Sequence, residues 1–172
     1  MAARLDGVSA VEQLAALART HALLTEHGLD YWLFGGWAVD FHAGIVSRPH
    51  DDLDIAVWAS DYDRIASLLL ADGWDHQPEE GDDGYTSYER DGVRLEVAFL
   101  ARDEQGQIHT PLRAARASWP EGAFGRDMRE LLGVRAKVIG LEALMAEKAE
   151  IRGDPSVAAK DRADSQTLSR KR

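Results

Sequence analysis

The sequence predicts an α/β fold of the α+β type, in which a mixed, twisted sheet is flanked by helices and followed by a short helical C-terminal part. Amphipathic helical stretches alternate with short apolar strands over residues 9–70. Two further strands are joined by Asp91-Gly92, a pair typical of β-hairpins. Helical spacing returns near the C-terminus, so we divide the 172 residues into a sheet domain at 1–110 and a mostly helical segment at 111–172 packed on it.

The first helix, predicted over residues 9–27, carries the most complete local signals. Ser9 and Glu12 form a capping-box pattern at its start, and Gly28 is typical of a helix end. A helix predicted at 37–43 begins directly after two glycines, so its N-terminus directs N–H groups toward whatever binds there. The other predicted elements are strands at 29–34, 53–58, 85–90, 93–100 and 134–139, and helices at 60–70 (opened by a capping signature of Ser60 and Asp63), 141–151 and 156–168.

Composition and charge exclude several classes of protein. Thirty acidic residues against 20 basic ones give a net charge of −10, which argues against a nucleic-acid partner because phosphates would be repelled. The same charge favours a cationic substrate, or it is only the acidity that many cytoplasmic proteins share. The absence of cysteine excludes disulfides and thiolate metal sites. No apolar run is long enough to cross a membrane, and residues 1–6 lack a signal-peptide core, so we expect a cytoplasmic protein with no membrane partner.

Two aspartates one residue apart are the most informative feature of the chain. Side chains alternate along a strand, so Asp52 and Asp54 point to the same face. Neighbouring carboxylates repel each other unless a cation lies between them, and Mg²⁺ prefers carboxylate oxygens together with substrate phosphates. Gly35 and Gly36 lie upstream and offer a bare backbone turn to a phosphate. The alternative is that both acids face water on a polar edge.

A third carboxylate, Glu96, lies in the middle of an apolar strand, where an unpaired acid is costly. It either joins the two aspartates, or it faces outward and pairs with Arg94 or with Arg90 across the hairpin. Glu89, in the partner strand, is the second choice for the third carboxylate of the site.

Basic groups near the aspartates are candidates for phosphate binding. Arg48 and His50 are the nearest in sequence; either one contacts phosphate, or Arg48 pairs with Asp40 or Asp51 and fixes the loop. Asp51 points away from the aspartate pair, so we expect it on the surface or capping the loop. An acidic run at 79–83 precedes the hairpin, and it either lines the rim of a cleft and concentrates a cationic acceptor or is only solvated.

Two segments resemble the nucleotidyltransferase superfamily: Gly-Gly-Trp-Ala-Val-Asp at 35–40 and Arg-Pro-His-Asp-Asp-Leu-Asp at 48–54. Within it, the likeness is to small bacterial antibiotic nucleotidyltransferases that act on aminoglycosides at a 2''-hydroxyl and on lincosamides. These enzymes carry a Gly-Gly or Gly-Ser turn, an Asp-x-Asp pair on one strand and a third carboxylate on a later strand. The match is specific over 31–58 and looser over 85–100, and it weakens beyond.

This resemblance implies a minimal nucleotidyltransferase fold, with residues 1–110 as the catalytic domain. It implies an enzyme that transfers AMP from ATP to a hydroxyl of a small, cationic antibiotic, an aminoglycoside first and a lincosamide second. Asp52 and Asp54 would hold two Mg²⁺ ions, and Glu96 would ligate a metal, act as the general base, or do both. The alternatives are an inactive or regulatory protein of this fold, similar to an antitoxin, and a transferase that modifies a protein.

The resemblance also implies roles for other residues around the nucleotide. Backbone N–H groups of Gly35 and Gly36 would hold the β- and γ-phosphates, and Lys148 would lie near the triphosphate. The alternative for Lys148 is an exposed lysine that pairs with its helical neighbours. A tail segment, Lys-Asp-Arg-Ala-Asp at 160–164, is similar to a Lys-Asp-Arg-x-Asp segment of related transferases, and neither its pattern nor the resemblance gives it a role.

Overall fold

The fold predicted from the sequence is confirmed by a computed structural model, which describes residues 8–149 and 155–170 and has a mixed sheet flanked by helices. The helices are α1 (Ala10–Glu26), α2 (Gly35–Ala43), α3 (Tyr62–Ala71), α4 (Leu141–Ala149) and α5 (Pro155–Ser169). The strands are β1 (Trp32–Phe34), β2 (Leu53–Trp58), β3 (Asp75–His76), β4 (Tyr85–Arg90), β5 (Val93–Arg102), β6 (Ile108–Pro111), β7 (Arg116–Ser118), β8 (Met128–Leu131) and β9 (Val134–Lys137). A 3-10 turn, Ala59–Asp61, precedes α3.

The main sheet is built around β5, which pairs with β2 on one side and β4 on the other. β2 and β5 run parallel, whereas the other strand pairs are antiparallel, so the sheet is mixed. The strands β1 and β3 complete the order β1-β2-β5-β4-β3, and β6 and β7 extend the C-terminal end of β5. The parallel register places Asp54 directly beside Glu96.

Local signals account for the elements that were predicted best. In α1, the backbone N–H of Glu12 donates to Ser9 Oγ at 3.3 Å and the N–H of Ser9 donates to Glu12 Oε2 at 2.8 Å, which completes the capping box. In the hairpin of β4 and β5, Asp91 and Gly92 have φ values of 50° and 79°. A two-residue turn of this kind requires positive φ at both positions, and it sets the register of the strand that carries the third carboxylate.

Two helix starts differ from the prediction. α2 begins at Gly35, two residues earlier than expected, because the φ of 68° at Gly35 lets the chain pass from β1 directly into the helix. The capping signature of Ser60 and Asp63 is wrong, since Ser60 lies within the 3-10 turn and α3 starts at Tyr62. Asp61 precedes α3 with helical dihedral angles, so no extended residue stands at the position where a cap would act.

The C-terminal segment is helical only from Leu141 onwards. Before it, β7 and β8 form from residues that show no clear pattern, whereas β9 lies within the strand predicted at 134–139. Positive φ values at Leu132 and Gly133 (49° and 79°) close the turn between β8 and β9. α4 begins where predicted, whereas the last residues of the helix predicted at 141–151 lie outside the described part of the chain. The division near residue 110 stays a prediction, and β6 runs across it.

Contacts between distant segments tie the C-terminal elements to the sheet. Leu33 of β1 forms a parallel bridge with Val138, and the N–H of Ile139 donates to Leu33 O at 3.0 Å. α5 packs on both α2 and α4, so the three helices meet beside the N-terminal ends of β2 and β5. Among the described residues, none of the helices has the length and the apolar character that crossing a membrane requires.

Candidate active site

Three carboxylates meet at the N-terminal end of β2. Asp52 directly precedes the strand, Asp54 lies within it, and Glu96 faces Asp54 from the parallel strand β5. Ligand oxygens of all three side chains lie within 4.8 Å of one another, and each residue is partly exposed. The prediction that Asp52 and Asp54 share one face is therefore confirmed, and Glu96 is the third acid of the cluster.

Electrostatic repulsion within the cluster is strong. Burial raises the pKa of Asp52, and the negative charges of Glu96 and Asp51 raise it further. Burial also raises the pKa of Asp54 well above its ordinary value, with added repulsion from Asp52 and Glu96. These shifts mean that the cluster lacks enough positive charge of its own, which is the condition in which a divalent cation binds favourably between carboxylates.

Arg94 is the basic neighbour of the cluster that the sequence offered as an alternative partner for Glu96. It donates to Glu96 Oε1 at 3.3 Å and to Ser87 Oγ at 3.1 Å, and it forms an ion pair with Glu79 at 2.9 Å. Glu96 thus both joins the aspartates and contacts Arg94. Glu89, the second choice, is exposed and lies opposite Arg94 in the hairpin rather than in the cluster.

The start of α2 packs directly against the acids. A Cβ atom on Gly35 would collide with the carboxylate of Asp54, and one on Gly36 would lie 2.5 Å from His50 Nδ1 and 2.6 Å from Arg48 Nη2. Phe34, at the N-cap, has no polar side chain that could cap the first N–H groups of the helix. The backbone of the two glycines is therefore the surface that this end of the helix presents.

A cavity of about 290 Å³ connects this backbone with the acid cluster. Its lining includes every residue that the sequence suggested for phosphate binding, namely Gly35, Gly36, Arg48, His50 and Lys148, together with Asp52, Asp54 and Glu96. The structure therefore brings the predicted site residues together. That these groups bind phosphate stays a prediction.

The basic residues of this cavity have partners that the sequence did not indicate. Arg48 pairs with neither Asp40 nor Asp51; its Nε and Nη2 donate to the two carboxylate oxygens of Asp164 in α5, each at 2.9 Å. The Nε2 of His50 lies 2.6 Å from Asp40 Oδ2, and its ring packs on Trp37 with 4.6 Å between centroids. Asp40 is thus the partner of His50, and α5 holds Arg48.

Lys148 is buried rather than exposed, so the alternative of a surface lysine is wrong. Its Nζ donates to Asp161 at 3.2 Å and pairs with Asp164 at 3.0 Å, because α5 covers this side of α4. Lys160, at the start of the same tail segment, contacts the carboxylate of Asp51, which is exposed as expected. The sequence missed Asp161 and Asp164 as parts of the site; the unassigned tail segment was the available signal.

A second, larger cavity of about 710 Å³ adjoins the first, and both are lined by Phe34, Glu96 and Glu147. Its walls also include the rings of Tyr85 and Trp119. Among the described residues that line it, none is basic. The larger cavity is therefore an aromatic and acidic space that opens directly onto the acid cluster.

The acidic run at 79–83 lies at the rim of the larger cavity. Asp83 lines the cavity and its Oδ1 accepts from the backbone N–H of Arg113 at 2.9 Å. Arg113 Nη2 also donates to the backbone oxygen of Asp82 at 2.9 Å, and Glu79 pairs with Arg94. The segment after β6 and the hairpin thus hold parts of the run, of which Asp83 lines the cavity while residues 79–81 are exposed.

Sequence comparisons connect this geometry to known proteins. A family model described as aminoglycoside-2''-adenylyltransferase matches residues 16–168. A 2''-aminoglycoside nucleotidyltransferase from Klebsiella pneumoniae is 31% identical over 114 residues, which cover 66% of this chain and 62% of the relative. Another from Escherichia coli is 40% identical over 43 residues, which cover 25% of this chain and 24% of the relative. The matches thus span less than two thirds of the length of these curated relatives.

Solved structures with a similar fold include two antibiotic-modifying enzymes. The lincosamide antibiotic adenylyltransferase LnuA with bound lincomycin has a TM-score of 0.72 at 18% identity, over 97% of this chain and 100% of that chain. ANT(2'')-Ia in complex with adenylyl-2''-tobramycin has a TM-score of 0.72 at 20% identity, over 92% of this chain and 88% of that chain. At these identities the likeness concerns the fold alone.

Proposed function

Because this chain belongs to the aminoglycoside-2''-adenylyltransferase family, we propose that it transfers AMP from ATP to a hydroxyl group of an aminoglycoside, namely the 2''-hydroxyl. The hydroxyl oxygen would form a bond to the α-phosphorus, the bond from that phosphorus to its bridging oxygen would break, and pyrophosphate would leave. The proposal rests on the position of Glu96, whose carboxylate belongs to the acid cluster and which lines both cavities. One group thus stands between a space for the nucleotide and a space for the acceptor.

Asp52, Asp54 and Glu96 are the residues that would hold Mg²⁺, and we assign two ions to them. The fit rests on three carboxylates whose oxygens lie within 4.8 Å of one another, with the pKa values of both aspartates raised. Hard oxygen donors with uncompensated negative charge suit this cation. When bound, Mg²⁺ would supply positive charge beside the attacking and leaving oxygens.

Glu96 is also the group that would take the proton of the acceptor hydroxyl. Its carboxylate faces the larger cavity, and Arg94 donates to Oε1, which fixes the orientation of the side chain. A carboxylate that reaches both the acceptor space and the acid cluster can receive this proton as the new bond to phosphorus forms.

The smaller cavity is our assignment for the nucleotide. The backbone N–H groups of Gly35 and Gly36 begin α2 beside the acid cluster, where they and the helix dipole favour anionic oxygens. Arg48 and Lys148, each in an ion pair with an aspartate of α5, line the same wall, and His50 packs against Gly36. Since ATP is the co-substrate, a cytoplasmic location is part of the proposal.

The larger cavity is our assignment for the acceptor. An aminoglycoside carries several ammonium groups on sugar rings, and the described lining offers the carboxylates of Asp83, Glu96 and Glu147 without a basic side chain. The rings of Tyr85 and Trp119 can pack against the apolar faces of sugars or contact ammonium groups. Charge and shape together favour a polycationic sugar over a neutral or anionic acceptor.

The proposal is tested by pyrophosphate release from ATP and Mg²⁺ with a panel of aminoglycosides and lincosamides. We expect release with aminoglycosides, and Glu96→Gln should slow it by about 10²- to 10⁴-fold because the base is lost. Glu89→Gln, an exposed change on the same hairpin, is the matched control and should keep the wild-type rate. Release with lincosamides alone would contradict the assigned acceptor, and nucleotide binding without release would favour a regulatory or protein-modifying role.

A further inference from the structure

A buried network of ion pairs connects α5 to two cations of the smaller cavity. Asp164 has no exposed surface, and it accepts from Arg48 Nε and Nη2 at 2.9 Å while it pairs with Lys148 Nζ at 3.0 Å. Asp161, three residues earlier and on the same face of α5, accepts from Lys148 at 3.2 Å. Arg48 comes from the loop before β2 and Lys148 from α4, so one helix holds cations from two separate elements.

Arg48 and Lys148 each have N–H groups that do not donate to α5. Arg48 uses Nε and one N–H of Nη2 for Asp164, and its Nη1 donates to Pro49 O at 3.0 Å, which leaves one further N–H on each of Nη1 and Nη2. Its Nη2 lies close to Gly36, where an added Cβ would be 2.6 Å away. Lys148 has three N–H groups and contacts two carboxylates among the described residues. Because both side chains line the smaller cavity, each remains able to donate to a ligand there while α5 holds it.

We propose that Asp164, assisted by Asp161, is a positioning residue that holds Arg48 and Lys148 toward the phosphates of the nucleotide. The inference rests on the proposed function, and it gives the tail segment at 160–164 a role. The two neighbouring cations, of which Lys148 is buried and Arg48 partly buried, repel each other, and their long side chains have many rotamers. A carboxylate between them balances their charge and fixes them before the nucleotide binds, which lowers the entropy lost on binding.

The competing explanation is that these ion pairs only fasten α5 to the fold, and a double-mutant cycle separates the two. Calorimetric titration of Mg²⁺ with a non-hydrolysable ATP analogue gives the Kd for each variant without any acceptor. Asp164→Asn should weaken binding by about tenfold, as expected when charge-assisted hydrogen bonds lose their alignment. In a protein that already carries Arg48→Gln and Lys148→Met, Asp164→Asn should cause no further loss, because the residue acts through those side chains.

A matched control removes another bidentate carboxylate far from the cavities. Asp72 pairs with Arg19 at 2.7 Å and Arg90 at 2.8 Å beside the end of α3. Asp72→Asn should lower the melting temperature and leave the nucleotide Kd unchanged. Should Asp164→Asn fail to fold, Asp161→Asn is the second variant, and it should weaken binding only in a protein that retains Lys148.

Several results would overturn the inference: an unchanged Kd in both α5 variants, losses that simply add in the cycle, or an equal loss in Asp72→Asn. A wild-type protein that binds no nucleotide would overturn the inference together with the proposed function. A wild-type protein that binds nucleotide but adenylylates no antibiotic would contradict the proposed function only, and the cycle would still decide the role of Asp164.

Discussion

Asp54 and Glu96 lie side by side on the parallel strands β2 and β5, and their carboxylates share a cluster with Asp52. A parallel pair does not arise from a tight turn, so the whole hairpin of β4 and β5 must be in place before these acids can meet. The cluster is therefore a product of the sheet topology, and the sheet holds three like charges where they would otherwise separate.

Replacing Asp54 should separate activity from stability. Asp54→Asn should abolish turnover while raising the free energy of unfolding of the metal-free protein at pH 7 by about 1 kcal/mol, because it removes a partly buried, repelled charge. Burial raises the pKa of Asp54 in the folded protein, so the neutral carboxyl group favours the folded state at low pH. This contribution to stability is lost as the pH rises through the folded-state pKa, and removing the charge should therefore stabilise the protein at pH 7. Pyrophosphate release and chemical denaturation at pH 7 measure the two effects, and a variant that keeps its activity would contradict the role of Asp54.

Metal and nucleotide should stabilise the protein together. At about 100 times the Kd, Mg²⁺ with a non-hydrolysable ATP analogue should add about 2.7 kcal/mol to the free energy of unfolding. EDTA should remove this gain in stability, because without the cation the carboxylates of the acid cluster repel the anionic triphosphate. Thermal melts with metal alone, analogue alone and both give the comparison. A gain that survives EDTA would mean that the nucleotide binds away from Asp52 and Asp54.

The glycine that begins α2 offers a sharply controlled substitution. Gly35→Ala introduces strain at a φ of 68° and drives a Cβ into the carboxylate of Asp54, so it should both destabilise the fold and abolish activity. Gly28→Ala introduces the same strain at a φ of 67° with no heavy atom within 4 Å. Each variant should lose at least about 1 kcal/mol of stability. Wild-type activity in Gly35→Ala would show that the start of α2 is not part of the site.

Acid should weaken the network around Asp164. Burial raises the pKa of Asp164, but the hydrogen bonds from Arg48 and Lys148 outweigh burial and hold the pKa below its ordinary value of 3.8. A lowered pKa gives stability that is present above the unfolded-state pKa and is lost as pH falls through the folded-state value. Asp164→Asn should therefore cost about 3 kcal/mol at pH 7. In denaturation experiments, the difference in the free energy of unfolding between this variant and the wild type should shrink below pH 3.8. A difference that stays constant with pH would contradict the assigned ion pairs.

Charge at the larger cavity should set affinity for the acceptor. Asp83→Asn should raise KM for an aminoglycoside and leave KM for ATP nearly unchanged, because Asp83 lines the larger cavity and not the smaller one. Added salt should weaken wild-type affinity in the same direction, because screening reduces attraction between exposed charges. Glu80→Gln, in the same loop but outside the cavity lining, is the control. Equal KM values for the aminoglycoside in Asp83→Asn and in the control would refute the acceptor assignment.

The strand that carries the aspartate pair could be predicted because its signals are local. Asp52 directly precedes β2 and Asp54 lies within it, and the alternation of side chains along extended backbone places both on one face. Glu96 could be named as a candidate third carboxylate because the preceding hairpin turn places it on a strand and its neighbours there are apolar. Asp164 could not be assigned, since its partner Arg48 belongs to another element and the pairing exists only after α5 packs on α2.

The wall of the larger cavity was also beyond sequence-based prediction. Trp119 lies in a stretch with no clear period, and its position depends on an edge contact with Phe34 at 5.4 Å between ring centroids and on a hydrogen bond to Thr110 at 2.9 Å. These contacts join distant segments, so no local pattern could have indicated them. The boundary between the cavities is likewise formed by β1, β5 and α4, three elements separated in the chain.

Mass spectrometry of the product formed from ATP, Mg²⁺ and an aminoglycoside with a free 2''-hydroxyl tests the proposed transfer of AMP most directly. The acceptor should gain one AMP for each pyrophosphate released, and a 2''-deoxy analogue of the same aminoglycoside should remain unmodified. ATP turnover that leaves the aminoglycoside unchanged, or equal modification of the 2''-deoxy analogue, would contradict the claim that this site adenylylates that hydroxyl.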